Sequence, residues 1–444
     1  MTTRKPVIVV GGGVAGLTAA VRLASRDVPV LLLEQRPRPG GRTYSFRDTV
    51  SGEIIDNGQH LLIAGYRRTL DLLDTLGVLD KVEIQRQPTL LFHHPVKGFR
   101  RFSIPRLPAP WNLLSGILAF DLLSSGDRLR LLRAGAALRG GDRGERGATV
   151  AGWLDLQRQS AEACRCFWDP LTLAIMNEHP ERAAAKPFLR ALQMAFLGSP
   201  DGAALAMPRV GLSELFVDPA LVYLGSRGMK VRCGSDVVRL LADSDRVHGV
   251  LLRNGEEVRG GAVILALPWY GAAALLKDVA PVAFDRQGIG ASPIVSIHLW
   301  FPEDFMPEES VGLIGRRIHW LFNRRRINRE KGAGGHLSAV ISAAREFVGW
   351  GTEDILSLAT EDIRTVYPLC PATPLRGVVI REKRATPSLT PEAEHLRPGT
   401  VTAFTNLFLA GDWTDTGLPA TIEGAVQSAE RCVELFLRAG QLHI

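Results

Sequence analysis

Gly11, Gly13 and Gly16 form a Gly-x-Gly-x-x-Gly run directly after the β-branched stretch Val7-Ile8-Val9-Val10. Glycines at this spacing suit a diphosphate. The first permits a tight turn, the second lets the backbone approach the phosphates, and the third lets a helix pack closely on the preceding strand. Val14 and Ala15 open that helix, whose free N–H groups and dipole favour an anion. Glu34 stands 18 residues beyond Gly16, at the end of a second apolar run, Val28-Pro29-Val30-Leu31-Leu32-Leu33, with Gln35 beside it. An acid there accepts hydrogen bonds from ribose hydroxyls and repels a 2′-phosphate. Pro39-Gly40-Gly41-Arg42 adds close passage for a ligand and fixed donors for phosphate oxygens. Near the other end lie Leu407-Phe408-Leu409-Ala410-Gly411-Asp412-Trp413 and Thr421-Ile422-Glu423-Gly424-Ala425. Paired with the front-end glycines, they predict that both ends of the chain build one dinucleotide site.

The elements that must position these residues are legible as periodicities. A helix is predicted from Val14 to about Ser25, and an amphipathic helix from Thr69 to Gly77, where Leu70, Leu73 and Leu76 recur at helical intervals. From about 100 to 210 the pattern is helical, and 139–147 is an exposed connection. Strand signals return at Val231, Val237-Val238 and 247–252, with Asn254-Gly255 as a hairpin turn. Ala262 to Leu267 reads as a strand re-entering the dinucleotide domain. Ile294 to Phe301 and Leu337 to Ser342 read as strands of a later insertion. Leu407 to Ala439 supplies the final strand and helix. The expected fold class is α/β, a Rossmann-like FAD-binding domain with an inserted α+β substrate domain. Its expected parts are an FAD-binding segment at 1–66, a mainly helical insertion at 67–224, a second FAD-binding segment at 225–285, an α+β insertion at 286–395 and a third FAD-binding segment at 396–444.

The order of these motifs resembles the amine oxidase and phytoene desaturase superfamily of FAD enzymes. Three further segments resemble its squalene-associated branch, the hydroxysqualene dehydroxylases: Asp56-Asn57-Gly58-Gln59-His60 with Gly65 to Leu70, Phe167-Trp168-Asp169-Pro170-Leu171 through Asn177, and Gly411 through Thr421. The resemblance implies that Gly11, Gly13, Val14, Ala15, Gly16, Glu34, Gln35, Gly41 and Arg42 line the ADP half of FAD. It implies that Asp412, beside Gly411, binds the ribityl chain, that the Ile422 N–H faces the flavin pyrimidine, and that Gly58, Gln59 and His60 approach the isoalloxazine ring. Val237 matches the strand whose backbone contacts adenine. Glu178 and His179 depart from the branch, where smaller or less charged residues are expected.

In that reading an allylic hydroxyl of hydroxysqualene leaves and a hydride replaces it, giving squalene. A poor leaving group calls for a general acid. His60 is one candidate, with ring contact or a structural hydrogen bond as its other role. Asp169 and Glu178 are weaker candidates, each readable as a helix cap or solvated carboxylate. The alternative activity is FAD-dependent desaturation of a carotenoid precursor. Nucleophile-elbow, HExxH and P-loop patterns are absent, which removes hydrolase, zincin and NTPase readings.

The bulk properties agree with this. The 444 residues carry a net charge of +7, with 46% hydrophobic and 22% charged residues, an ordinary globular composition. The five cysteines include no CxxC pair, so neither a zinc site nor a disulfide framework is expected. No apolar run reaches the length of a membrane span, so no spanning segment is expected; the expected location is cytoplasmic, with contact at the inner membrane face left open. That contact rests on Leu107 to Leu138, where Trp111, Leu113, Leu114, Ile117, Leu118, Phe120, Leu122 and Leu123 precede Arg128, Arg130, Arg133 and Arg139. Such a segment either lies in an anionic bilayer interface or packs on the protein core. A polyprenyl substrate and an external electron donor complete the expected partners. The cluster Arg316-Arg317, Arg324-Arg325-Arg326 and Arg329 around His319 to Phe322 reads as a solvated hairpin end rather than a nucleic-acid surface.

Overall fold

Buried on both faces, the apolar runs at 7–10, 30–33, 262–265 and 407–409 have only one way to satisfy their backbones, a central sheet covered on each side. The computed structural model, which describes residues 5–108, 111–140, 148–277, 279, 288–330 and 334–441, has that sheet. Its five strands run parallel in the order Lys230–Arg232, Val30–Leu33, Val7–Val10, Ala262–Leu265, Leu407–Leu409. One face packs Val7, Val9 and Ile264 against the opening helix Val14–Ala24 and the final helix Ile422–Gln441. The other packs Ile8, Val10 and Leu265 against Trp269 and Trp413. The strands arrive from both ends and the middle of the chain, as expected.

Two features tie the chain ends together. Glu423, buried one residue into the final helix, accepts hydrogen bonds from Thr69 N (2.9 Å), Thr69 Oγ1 (2.6 Å) and Arg68 N (3.1 Å). It thereby caps the helix Arg67–Thr75 from a distant part of the chain. Arg22 on the opening helix meets Glu430 at 2.9 Å and Asp71 at 2.5 Å, joining all three helices.

The second layer is a seven-stranded sheet in the order Arg376–Pro387, Ala291–Phe301, Gly335–Ile341, Trp320–Asn323, Ser310–Leu313, Thr89–His94, Gly98–Ser103. Its last two strands come from the 67–224 region, where sequence periodicity gave no strand signal. Alternation decides its two faces. Val295, Ile297, Leu299 and Phe301 pack with Leu337, Ala339 and Ile341 against the helix Thr352–Val366. The opposite face carries Ser296, His298 and Trp300, paired in register with Val340, Ser338 and His336. The Asn254-Gly255 turn joins antiparallel strands Val247–Leu252 and Glu257–Arg259, as expected. Most of the connection expected at 139–147 lies outside the described residues.

The amphipathic segment at 107–139 forms helices Trp111–Ala119 and Ser125–Arg139. Ile117, Phe120, Leu122 and Leu123 are buried against Phe92, Phe102 and Phe167. Leu107, Trp111 and Leu118 remain exposed, Trp111 at 61%. Arg128 donates to the carbonyls of Leu118 and Leu123 (2.7 and 3.1 Å), closing the first helix rather than facing outward. Among the described residues, no helix is long and apolar enough to cross a membrane.

Candidate functional site

The opening helix begins without a side-chain cap: Gly13 is its N-cap and offers none. Val14, Ala15 and Gly16 are nonetheless buried, and a buried, uncapped helix start is suited to an anionic ligand. The glycine loop is built against the Pro39–Arg42 turn, with Gly40 N–H donating to Gly12 O at 2.7 Å and a bridge between Gly13 and Gly40. A Cβ on Gly16 would stand 1.9 Å from the Gly11 carbonyl oxygen, so the close pass is obligatory. Glu34 is buried. It accepts from Gly12 N (2.7 Å) and Arg36 N (2.8 Å), which fixes both oxygens and leaves each a second lone pair. Ser235 N–H donates to Glu34 O (2.8 Å), bringing the turn before Val237 alongside; Gln35 is exposed.

Arg42 and Asp412 form a two-pronged pair, at 2.8 and 2.7 Å, and Arg42 also reaches Ala385 O. Arg397, buried, donates to the carbonyls of Asp412 (3.2 Å) and Thr414 (2.5 Å), fixing the Gly411–Thr414 turn. Thr421 Oγ1 caps the final helix by accepting from Gly424 N at 3.1 Å, leaving the Ile422 N–H at its start. An uncapped helix start, an acid at the second strand end and an arginine–aspartate pair near it fit the diphosphate, ribose and ribityl groups of FAD.

Asp56 to His60 runs between the two layers. Asp56 Oδ1 accepts from Ser45 Oγ (2.7 Å) and Leu212 N (2.9 Å), while Oδ2 accepts from Arg324 at 3.0 Å. The same guanidinium donates to Gln59 Oε1. Arg324 is only 2% exposed. This corrects the expected solvated hairpin end: Arg324 is a buried strut, Arg325 pairs with Glu53 at 2.7 Å, and Arg326 pairs with Asp304 at 3.0 Å.

His60 Nδ1 lies 2.8 Å from Gly58 O, so it carries the proton and donates it, and burial pushes the imidazole below its usual value. Nε2 is then an acceptor, and the ring has no proton to give at neutral pH. Asp169 opens the helix Asp169–Met176; burial and Glu181 raise its carboxyl, with His179 opposing. Its charged neighbours are therefore His179 and Glu181, not His60. Glu178 is fully buried, gripped by Arg345 at 2.7 and 2.5 Å and by Ser388 Oγ at 2.5 Å. Burial works to raise its carboxyl, but Arg345 and Ser388 outweigh it and hold it low. Glu178 is thus an ionised structural partner, neither a proton donor nor the solvated carboxylate considered from sequence. Asn177 closes the same helix in a left-handed conformation and ties it to Ser292 O (3.1 Å), Thr386 Oγ1 (3.0 Å) and Ala343 N (2.7 Å).

A polar cluster that sequence reasoning missed lies on the inner face of the seven-stranded sheet. Glu53 accepts from Trp300 Nε1 (2.8 Å) and Arg325 (2.7 Å) and meets His336 Nδ1 at 2.9 Å. His336 Nε2 is 3.1 Å from His298 Nδ1. Asp48 and Arg376 pair alongside, the guanidinium over Trp300 at 5.9 Å. The alternation Ser296-x-His298-x-Trp300 was the available signal for this face. The hydrogen bond from His336, then that from Trp300, holds the Glu53 carboxyl down at about 2, against an ordinary 4.5. A folded value below the unfolded one contributes stability that is fully present above about pH 4.5 and is lost as pH falls towards 2. Melting temperature followed from neutral to acid pH should therefore drop across that window, and Glu53→Gln should flatten part of the drop; an unchanged profile in the variant would remove Glu53 from the account.

Comparison with known proteins agrees with this geometry. A family model described as flavin containing amine oxidoreductase matches residues 14–436. A hydroxysqualene dehydroxylase of Rhodopseudomonas palustris is 32% identical, covering 98% of this chain and 99% of its own. A second, from Sinorhizobium fredii, is 30% identical, covering 98% of each. Among solved structures, an oxidoreductase from Methanosarcina mazei superposes with a TM-score of 0.74 at 19% identity, over 97% of this chain and all of the other. At that identity the likeness speaks for the fold.

Proposed function

We propose that this chain, which belongs to the flavin-containing amine oxidoreductase family and to its squalene-associated branch, is an FAD-dependent oxidoreductase that converts hydroxysqualene to squalene. The observation that carries the reading is the end-to-end similarity to relatives bearing that activity in their names, at 30–32% identity. FAD, when bound and reduced, supplies the hydride that takes the hydroxyl's place.

The chain's own residues bind, orient and keep out water. Val14, Ala15 and Gly16 would receive the diphosphate at the helix start, Glu34 the ribose, Val237 the adenine, and Arg42 with Asp412 the stretch between diphosphate and ring. Arg324 holds Asp56 and Gln59, and Gly58, Gln59 and a neutral His60 would then approach the flavin ring, while the Ile422 N–H would face its pyrimidine. Phe92, Trp320 and Phe322 crowd together on the inner sheet face, ring centroids 5.8 and 6.3 Å apart, with Phe167 and Trp168 in the same core. Their faces would favour a developing allylic cation and exclude water that could recapture it. Product analysis tests the reading: squalene formed from hydroxysqualene under reducing conditions supports it. Intact hydroxysqualene, with dehydrogenation of a carotenoid precursor by the oxidised enzyme, would support a desaturase.

A water-insoluble substrate favours uptake from a bilayer, and the exposed trio Leu107, Trp111 and Leu118 suits an interfacial contact. Trp111 and Leu118 lie seven residues apart, on one helix face. The contact would lie on the cytoplasmic side of the membrane, with electrons from an external donor. Trp111→Ser with Leu118→Ser should cut co-sedimentation with anionic vesicles several-fold while leaving FAD content intact. Equal co-sedimentation would remove this surface from the proposal.

A further inference from the structure

An allylic hydroxyl that departs with its bonding pair leaves positive charge on carbon. Aromatic faces meet part of that charge, and a carboxylate without a counter-ion would meet more. The space between the two layers is bordered by one. Asp56 to Gly58 cross the inner face of the seven-stranded sheet along the strand Ala291–Phe301: Asp56 lies by His298, and a Cβ on Gly58 would stand 3.1 Å from Ser296 Oγ. Side chains on one face of a strand recur every two residues, so the next inner-face residue in that direction is Ile294, and Gln59 and His60 follow towards it. Ile294 pairs in register with Glu382 on the edge strand Arg376–Pro387. Ile294 also packs, with Leu61 and Ala420, on the core that holds Phe92, Trp320 and Phe322, and all three of these packing residues are half-buried. Leu61 follows His60, and Ala420 precedes the start of the final helix. Glu382 therefore stands where the segment assigned to the flavin edge meets the aromatic wall.

Glu382 is half-buried and, among the described residues, joins no ion pair. Its one hydrogen bond is a long one from Asn57 Nδ2, at 3.5 Å. Arg42 acts on it from a distance, but that guanidinium is spent on both oxygens of Asp412 and on Ala385 O. One cation against two carboxylates leaves the group negative. Asn57 adds to this. It is buried, its Nδ2 also donates to Arg42 O at 3.3 Å, and its Oδ1 completes no hydrogen bond. Turning the amide over would set Oδ1 against a carbonyl and a carboxylate, which fixes its orientation. A carboxylate without an ion pair and a neighbouring unpaired amide oxygen together make a place for positive charge.

We propose that the Glu382 carboxylate stabilises the allylic cation as the hydroxyl departs, with Asn57 Oδ1 adding to the same negative field. The inference rests on the dehydroxylase reading. The step balances. The C–O bonding pair leaves with the oxygen, which takes a proton drawn from solvent and departs as water, and the carbon receives hydride from the reduced cofactor. Glu382 forms no bond and neither gains nor loses a proton. Hydroxysqualene and squalene are both uncharged, so the carboxylate has a charge to oppose only while the carbon is positive. Its effect falls on the rate of the step rather than on substrate affinity.

The test uses the FAD-loaded full chain and two readouts. One is the single-turnover rate of reduced enzyme with hydroxysqualene. The other is the affinity of oxidised enzyme for a squalene analogue with a tertiary ammonium in place of the carbon that bears the hydroxyl. Glu382→Gln should keep its FAD and its hydroxysqualene affinity while losing about 100-fold in single-turnover rate. It should bind the ammonium analogue about tenfold more weakly than wild type, which a merely structural role would not produce. Glu382→Asp keeps the charge and should recover most of both losses. Unchanged analogue affinity in Glu382→Gln overturns the proposal whatever the rate, and so does Glu382→Asp performing no better than Glu382→Gln. Loss of FAD from Glu382→Gln also overturns it, by placing the carboxylate on the cofactor. Wild-type enzyme that leaves hydroxysqualene intact instead overturns the dehydroxylase reading, and analogue binding then still decides whether Glu382 faces a cation.

Discussion

Gly16→Ala is expected to abolish FAD retention. The added methyl would stand 1.9 Å from the Gly11 carbonyl oxygen and 3.2 Å from Ala266 Cβ. The first is backbone, held by its place between the sheet and the turn: Gly11 N–H donates to Leu33 O at 2.8 Å. The helix must therefore move off the strand, and with it Val14 and Ala15, whose N–H groups the diphosphate needs. Because the opening helix packs on the final helix through the main core, part of the cost falls on stability. The flavin absorbance of the purified variant, relative to protein, measures the effect. A variant that purifies with wild-type flavin content would show that the glycine loop is not the diphosphate site.

The second large effect belongs to Arg324→Ala. Removing this guanidinium leaves the buried Asp56 Oδ2 without its 3.0 Å partner and frees the half-buried Gln59. Breaking a buried pair from one side typically costs about 3–5 kcal/mol, because the remaining charge is uncompensated. Asp56 keeps Ser45 Oγ and Leu212 N, which places the expected loss towards the lower end of that range. The midpoint of chemical denaturation should fall accordingly, and catalytic rate should fall with it, since Gly58 to His60 lose their support. An unfolding free energy within about 0.5 kcal/mol of wild type, the scale of ordinary surface changes, would contradict the assignment of Arg324 as a strut.

These two residues also mark where the sequence was and was not readable. Gly16 belongs to a local pattern: three glycines, an apolar run before and an acid 18 residues on constrain one another within a single strand–helix–strand unit. Glu34, Arg42 and the Gly411–Asp412 turn were legible in the same way, each beside the strand end that positions it. Arg324 stands in a run of arginines whose composition describes a solvated turn. Its burial depends on Asp56, 268 residues earlier, and no periodicity carries that pairing. The Glu53–His336–His298 line fails to show for the same reason. Its members meet through strand pairing across the inner sheet face, and each alone reads as an isolated polar residue in an apolar strand. The strands at 89–103 went unseen because they complete a sheet whose other members all come from beyond residue 290. The segment at 107–139 divides between the two readings left open: one side is protein core, while Leu107, Trp111 and Leu118 stay outside.

The most direct test is a single anaerobic turnover. Purified, FAD-loaded protein is fully reduced and mixed with hydroxysqualene; flavin absorbance is followed while products are read by mass spectrometry. One squalene is expected for each flavin reoxidised. Reduced flavin that persists beside unreacted hydroxysqualene would contradict it.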